Sequence, residues 1–315
     1  NECFQKNHSE KDLLSQLIYK GKVMYCIDKM LPQISLADKF RFNQNQMNWT
    51  QENEEAIWQY FIHNDLLFSK DEKRYRSYIN YAPFAKGMPK ESPILLQLAS
   101  TITNAGEDEK IKVIILKSAG ERAFCAGASF DELVAIDNIE DGKKFFSGFA
   151  QVINAARKCP KFIIGRVQGK AVGGGVGMAS ATDYCFATKY ASAKLSELAI
   201  GIGPFVVGPA VERKVGSSAF NAMTINTTKW FDANWAQEKG LYNEVFETTE
   251  EMDEQINLLS LKVAKYNPES MEELKKIMWK GTEDWDSLLL KRAEKSGKLV
   301  LSDFTKNAIA QFKNK

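Results

Sequence analysis

Short apolar runs of strand length alternate with longer, helix-like stretches in the part of the chain that follows Ser92. The runs lie at 113–116, 162–164 and 184–187, and a helical pattern over 141–157 separates the first two. Strands that alternate with helices in this way are joined by right-handed crossovers and form a sheet with helices packed on it. The sequence therefore predicts an α/β fold for this part of the chain.

The regions on either side of this α/β pattern are predicted to be helical. Upstream, apolar and aromatic residues recur at helical spacing between about residues 10 and 86, and turn residues follow. Downstream of about residue 250 the chain is charged and amphipathic, which again favours helices. We therefore expect three regions: a mostly α-helical N-terminal segment (1–88), an α/β core (89–250) and a C-terminal helical region (251–315).

Charge and hydropathy exclude some classes of partner. The formal net charge is only +2, so the chain as a whole offers no electrostatic attraction for nucleic acid or for acidic membranes. No uninterrupted apolar run of the sequence approaches the length that spans a bilayer. We therefore expect neither a nucleic-acid partner nor a membrane span.

The cysteines and histidines restrict the possible chemistry further. The five cysteines are widely spread and form no Cys-x-x-Cys pair, which favours reduced thiols in a cytoplasmic protein. Both histidines, His8 and His63, precede the α/β region. That region therefore cannot contain a Ser-His-Asp or Cys-His centre, and we expect no metal site there. Proton transfer would have to use carboxylates, Lys, Tyr or Cys.

A stretch of small residues follows the first apolar run. It reads AFCAGASFDEL over 123–133, and its small residues at 126–128 would let backbone N–H groups approach a ligand closely. Ser129 and Glu132 have the spacing of a capping box, which predicts a helix start with free N–H donors. A plain capped turn without a ligand explains this segment equally well.

A glycine cluster follows the second apolar run. Three consecutive glycines, 173–175, precede an Ala-rich helical stretch. Neither the phosphate-binding P-loop nor the dinucleotide-binding pattern fits, because no Lys-Ser/Thr follows the glycines and residue 178 is Met. Taken alone, this segment is best explained as a structural turn.

A single carboxylate occurs in a third, mostly apolar and glycine-rich segment. Glu197 lies within AKLSELAIGIGP, residues 193–204. Desolvation in such surroundings should raise its pKa, which would suit a general acid or base. The ordinary alternative is a solvated or capping glutamate, which most carboxylates are.

In this order and spacing, the three segments and FDANWAQEKGL at 231–241 resemble the crotonase superfamily of enoyl-CoA hydratases and isomerases. The resemblance runs from about residue 91 to the C-terminus. It implies a crotonase-like ββα spiral core and an acyl-CoA substrate, with CoA as part of the substrate and no separate cofactor. It also implies a homotrimer or a hexamer built from two trimers.

The resemblance assigns roles to individual residues. The backbone N–H groups of Ala128 and Gly174 would hold the thioester carbonyl oxygen as negative charge develops on it. Glu197 would move a proton at the α- or γ-carbon of the acyl group. Ala126 would approach the adenine and pantetheine of CoA.

Two aromatic residues are candidates for the wall of an acyl pocket. Phe130 lies within the first segment and Phe205 directly follows the third, where the aliphatic Val206 is a further candidate. Taken singly, each is more simply explained as a core residue, because large apolar side chains are usually buried.

One position departs from the pattern of a hydratase. Hydratases of this family pair two glutamates, and one of them stands three residues after the middle glycine, where this chain has Gly177. The difference favours isomerisation with a single carboxylate. Hydration stays open if Glu132 or Asp131 supplies the second carboxylate. The alternative function is a catalytically impaired acyl-CoA-binding or scaffold protein.

The upstream region resembles a different family. Residues 20–25, 55–62 and 79–84 are similar to parts of the gliding-motility lipoprotein B family, which implies an envelope-related, extracytoplasmic segment. The first β-hairpin of the crotonase superfamily cannot be recognised before Ser92. Met88 is therefore a candidate junction between two unrelated pieces, and such a junction would leave the sheet without its first strands.

Overall fold

The structure is a computed structural model that describes residues 76–81, 93–120, 122–128 and 130–313. All of them belong to one compact unit, Phe61–Lys315. The described strands are β1 (Arg76–Tyr81), β2 (Val113–Ser118), β3 (Ala123–Cys125), β4 (Phe162–Val167), β5 (Lys170–Val172), β6 (Tyr184–Thr188), β7 (Ser192–Lys194), β8 (Phe231–Asp232) and β9 (Glu244–Phe246). The described α-helices are α1 (Pro93–Glu107), α2 (Phe130–Ala135), α3 (Ile139–Lys158), α4 (Gly174–Ser180), α5 (Gly208–Ile225), α6 (Ala233–Glu238), α7 (Thr249–Val263), α8 (Pro268–Met278), α9 (Trp285–Leu299) and α10 (Asp303–Lys313).

Two sheets form the centre of the fold. The larger is a five-stranded sheet in the order β1-β2-β4-β6-β9, and each neighbouring pair is parallel. The smaller has the order β3-β5-β7-β8, parallel except for its last pair. The three predicted strands are all present, as β2, β4 and β6. The predicted α/β core and the helical C-terminal region are therefore confirmed.

The larger sheet is covered on both faces. In β2, Ile114 and Leu116 belong to one buried cluster, whereas Val113 and Ile115 belong to another on the opposite face. Successive strand residues point to opposite faces, so a strand that is buried on both sides needs an apolar residue at every position. This explains why the run at 113–116 is continuously apolar.

Strand β1 comes from the segment that the sequence pattern predicted to be mostly helical. It pairs in parallel with β2, from Arg76 opposite Val113 to Tyr81 opposite Ser118. The expectation that a junction at Met88 would leave the sheet without upstream strands is therefore wrong for this strand. Met88 itself and the predicted helices before residue 76 lie outside the described residues.

The C-terminal region, predicted as 251–315, consists of α7 to α10 over its described part. Helix α7 begins with a capping box, in which the Thr248 hydroxyl accepts from the Glu251 N–H and the Glu251 carboxylate accepts from the Thr248 N–H. Helix α9 packs along α3, and α10 packs against the turn that begins at Glu197. Within the described ranges, no helix combines the length and the apolar character that crossing a bilayer requires.

Candidate active site

A cavity of about 120 Å³ lies where the three segments singled out in the sequence meet. Each segment follows a short strand of the smaller sheet, and β3, β5 and β7 run parallel. The carboxyl ends of parallel strands point the same way, so the segments that follow them converge. The segments contribute these lining residues: Ala126, Gly127, Ala128, Val172, Gly173, Gly174, Ser196, Glu197, Ile200, Gly203 and Pro204.

The first segment approaches the second through backbone atoms. Gly127 has a φ of +85°, and a Cβ at this position would lie 2.8 Å from the carbonyl oxygen of Val172 and 3.9 Å from the amide nitrogen of Gly174. Only glycine tolerates both the left-handed backbone and this approach. Ala128 and Gly174 line the same cavity. Helix α2 begins at Phe130, as predicted.

The glycine cluster is also a place of close approach. A Cβ at Gly174 would lie 2.0 Å from Cε1 of Phe149, and one at Gly175 would lie 2.5 Å from the carbonyl oxygen of Cys125. Helix α4 begins at Gly174, so the N–H of this residue has no acceptor within the helix. The structural-turn interpretation is therefore incomplete, because these glycines also bring a helix start to the cavity.

Glu197 is the acidic residue of the cavity lining. The residue is half-buried as a whole, but its Oε2 atom is shielded from solvent and has no hydrogen-bond partner among the described residues. Burial raises the pKa of Glu197 from its ordinary value of 4.5 to about 7, while hydrogen bonds from the backbone of Glu197 and Ser196 act in the opposite direction. The expectation of a desolvated carboxylate is therefore met, and a pKa near 7 suits acid–base chemistry.

Position 177 is closed to any side chain. A Cβ at Gly177 would lie 2.5 Å from Cγ1 and 2.6 Å from Cβ of Val207. The sequence suggested Glu132 or Asp131 as a substitute carboxylate. Glu132 is half-buried, and burial raises its pKa, but it is not among the residues that line the cavity. The side chains of Asp131 and Phe130 lie outside the described part of the structure.

Several lining residues have no signal in the sequence motifs. Phe205 lines the cavity, as predicted, but so do Phe146 and Phe149 of α3, Ser296 of α9, and Val207. Ser296 reaches the cavity because α3 and α9 meet at two glycines. A Cβ at Gly142 would lie 2.7 Å from Cα of Gly297. A glycine-to-glycine helix contact that joins positions so far apart in the chain could not be read from the sequence.

Substituting Gly127 tests whether turnover depends on the position of the 126–128 backbone. We expect Gly127→Ala to lower turnover by about 10²–10³, the usual loss when one oxyanion donor is displaced, because the new Cβ would push the 126–128 backbone away from Val172. Steady-state kinetics on an acyl-CoA substrate would measure the loss.

Gly281→Ala is the matched control for this substitution. Gly281 also has a positive φ, +84°, but a Cβ there would meet nothing within 4 Å. It should lower stability by about 1 kcal/mol, the usual cost of a left-handed backbone for a residue with a side chain, and leave turnover unchanged. Equal turnover losses in both variants would contradict a specific role of the 126–128 backbone.

Comparison with known proteins agrees with this geometry. The family model "Enoyl-CoA hydratase/isomerase" matches residues 92–311, and the model "Gliding motility protein GldB" matches residues 1–96. Both resemblances drawn from the sequence are thereby confirmed. The GldB match covers a minority of the chain, residues 1–96, whereas the enoyl-CoA hydratase/isomerase match covers more than half of it.

Individual relatives and solved structures agree with the enoyl-CoA hydratase/isomerase match. The bacillaene synthase dehydratase PksH of Bacillus subtilis is 33% identical over 150 residues, which cover 47% of this chain and 56% of the dehydratase. The short-chain-enoyl-CoA hydratase of Clostridium acetobutylicum is 27% identical over 222 residues, 70% of this chain and 84% of the hydratase. The crystal structure of an enoyl-CoA hydratase from Bacillus halodurans shares the fold, with a TM-score of 0.67 at 20% identity over 75% of this chain and 96% of that one. The chain therefore belongs to the enoyl-CoA hydratase/isomerase family.

Proposed function

We propose that the chain moves the double bond of an enoyl-CoA thioester, with Glu197 as the single acid–base residue. The observation that carries this proposal is the composition of the cavity lining. Among its described side chains, the carboxyl group of Glu197 is the one titratable group, and Ala128 and Gly174 line the same cavity. A base and two candidate N–H donors in one small apolar cavity are the parts that forming an enolate requires.

The proposed reaction needs no group besides the substrate and this chain. The ionised Glu197 carboxylate takes a proton from the α-carbon of a 3-enoyl-CoA. The electron pair of that C–H bond moves into the carbonyl group, and the negative charge on the thioester oxygen is held by the N–H groups of Ala128 and Gly174. The enolate then collapses, the γ-carbon takes the proton back from Glu197, and the double bond ends between the α- and β-carbons. Protons and electrons balance, and the carboxylate is regenerated.

Substrate binding follows the resemblance to the family. Ala126, which lines the cavity beside Ala128, would contact the adenine and pantetheine of CoA, and Phe205 would contact the acyl group. The reaction requires no metal or separate cofactor, because CoA is part of the substrate. Acyl-CoA thioesters are soluble metabolites, which suits the cytoplasmic location expected from the cysteines.

Product analysis tests the proposal. Wild-type protein should convert a 3-enoyl-CoA into the 2-enoyl-CoA, whereas incubation with the 2-enoyl-CoA should yield little 3-hydroxyacyl-CoA. Chromatography of the thioesters would separate the three compounds. Hydration as fast as isomerisation would contradict the single-carboxylate mechanism. Calorimetric binding of the thioester without any turnover would instead support the non-catalytic acyl-CoA binder.

We also infer a homotrimer or hexamer. The C-terminal helices leave large apolar side chains exposed, among them Leu274, Ile277 and Phe304. Leu274 and Ile277 stand three residues apart on α8, so they share one face of this helix, and an exposed apolar face suits a subunit contact. Sedimentation of the full chain as a monomer would contradict the inference.

A further inference from the structure

We propose that Val207 is a specificity-determining residue, because it fills the space in which a second carboxylate would begin. This inference rests on the proposed function and deepens it. Gly177 alone would explain why a second glutamate is missing. The geometry indicates that Gly177 and Val207 act as a pair. Together they exclude a second carboxylate, so the site supports isomerisation by proton transfer but not hydration.

The contact between the two positions is too close to be relieved by a rotamer change. A Cβ at position 177 would lie 2.5 Å from Cγ1 of Val207, 2.6 Å from its Cβ and 3.5 Å from its Cα. Rotation about χ1 moves Cγ1 but leaves Cβ in place. Val207→Ala would therefore keep the 2.6 Å contact, whereas Val207→Gly would leave Cα at 3.5 Å as the nearest of these atoms, an ordinary van der Waals distance.

Val207 cannot easily move away from α4. Its side chain is buried, and the residue is the N-cap of α5, where its carbonyl oxygen accepts from the Val211 N–H at 3.1 Å. The next residue, Gly208, donates its N–H to the carbonyl oxygen of Pro204 at 2.7 Å. These bonds fix the backbone on both sides of Val207. Since protein interiors are close-packed, a new atom at position 177 would have to displace a fixed turn.

The same side chain faces the chemistry. Val207 lines the cavity that contains Glu197, whereas Gly177 is buried behind it in α4. Hydration places a water oxygen on the β-carbon and a proton on the α-carbon, and that water must be held and deprotonated. An apolar wall at Val207 offers it no hydrogen bond, and an unpaired water against apolar atoms is unfavourable. The enolate therefore returns its proton at the γ-carbon instead.

Hydration assays on three variants test the pair. Gly177→Glu alone should show no gain in hydration of a 2-enoyl-CoA over wild type. Gly177→Glu with Val207→Gly should raise the hydration rate at least tenfold. The matched control is Gly177→Glu with Val206→Gly, because Val206 is a buried neighbour that also lines the cavity. The proposal would be overturned if all three variants hydrated the 2-enoyl-CoA at the same rate.

A measurement of unfolding stability tests the same contact without depending on activity, and it can be made even where a variant is destabilised. The urea midpoints of wild type, Gly177→Ala, Val207→Gly and their double variant form a double-mutant cycle. We expect the double variant to unfold at a higher urea concentration than Gly177→Ala alone, since Val207→Gly removes the clashing atoms. Additive losses would overturn the contact. Coupled midpoints in a protein without isomerase activity would contradict the proposed function and leave the contact intact.

Discussion

Replacing Glu197 by glutamine should lower isomerisation of a 3-enoyl-CoA by about 10²–10⁴, the usual contribution of a positioned acid or base. Glutamine has nearly the same shape as glutamate but cannot take a proton, so the turnover number should fall while KM changes little. Steady-state kinetics on purified wild type and variant would measure both constants. Loss of affinity without loss of turnover would contradict the catalytic role.

Glu132→Gln is the matched control for Glu197→Gln. Glu132 is another partly buried glutamate whose pKa is raised by burial, but it does not line the cavity. Its substitution should change turnover by less than about threefold, since acid–base catalysis requires hydrogen-bond reach of the substrate. If Glu132→Gln abolished isomerisation and Glu197→Gln did not, Glu132 rather than Glu197 would be the base.

The same carboxylate should make both activity and stability depend on pH. Its pKa of about 7 predicts that kcat/KM rises with pH to a plateau above that value, because only the ionised form takes the proton. Stability changes in the opposite direction. Between 4.5 and about 7 the folded state binds more protons than the unfolded state, so the free energy of unfolding falls as pH rises through this range.

Glu197→Gln should remove this pH-dependent loss of stability. A pKa raised from 4.5 to about 7 corresponds to about 3 kcal/mol, at about 1.4 kcal/mol for each unit. The variant should therefore be more stable than wild type by about 3 kcal/mol at pH 8, and the difference should vanish below pH 4.5. Urea unfolding at both pH values would measure it. A variant that is less stable at pH 8 would show that the carboxylate is not desolvated in solution.

The parts of the site that local patterns predict are those built from consecutive residues. Gly127, Gly174 and Glu197 each lie just after a short strand, and their glycine or apolar neighbours mark close approach or burial. Parallel pairing then brings the segments together, because Ala123 lies beside Lys170 and Lys170 beside Ser192 in the register. Local sequence therefore marks these segments, whereas the short strands β3, β5 and β7 that bring them together were not predicted from it.

The remaining part depends on contacts between residues that are distant in sequence. Val207 comes to face Gly177 only after α5 has packed on α4, and Ser296 enters the cavity through the approach of α9 to α3. Strand β1 is a similar case, since it is a strand by virtue of its pairing with β2. Strand formation depends more on context than helix formation does, so the helical pattern around β1 was a poor guide.

A buried ion pair connects the C-terminal helices to this core. Nζ of Lys275, in α8, lies 2.8 Å from Oδ2 of Asp183, and both side chains are almost fully buried, at 2% and 3% exposure. Lys275 also donates to the carbonyl oxygen of Lys161 at 2.7 Å. The carboxylate of Asp183 accepts from the Ile163 N–H at 2.8 Å and from Nε1 of Trp279 at 3.0 Å. The ion pair and these hydrogen bonds together compensate the two buried charges. If either residue is removed, the other keeps its charge without its counter-charge.

Lys275→Met should therefore destabilise the protein by about 3–5 kcal/mol, because it leaves the Asp183 carboxylate buried without its counter-charge. Urea unfolding followed by tryptophan fluorescence would measure the change. The neighbouring Lys276 provides the control, since it is exposed and bonds Glu272 and Glu273 on the helix surface. Lys276→Met should cost less than about 1 kcal/mol, as exposed pairs contribute little.

The double variant Lys275→Met with Asp183→Asn shows whether the loss of stability comes from the uncompensated Asp183 carboxylate or from the loss of the Lys275 side chain itself. Asparagine can still accept one hydrogen bond from Ile163 or Trp279, and it carries no charge to desolvate. If the loss in Lys275→Met comes mainly from the uncompensated carboxylate, the double variant should recover more than half of it. A double variant as unstable as Lys275→Met would show instead that the packing of the lysine stem holds α8 on the sheet. In that case the buried charge is incidental to the docking of the C-terminal helices.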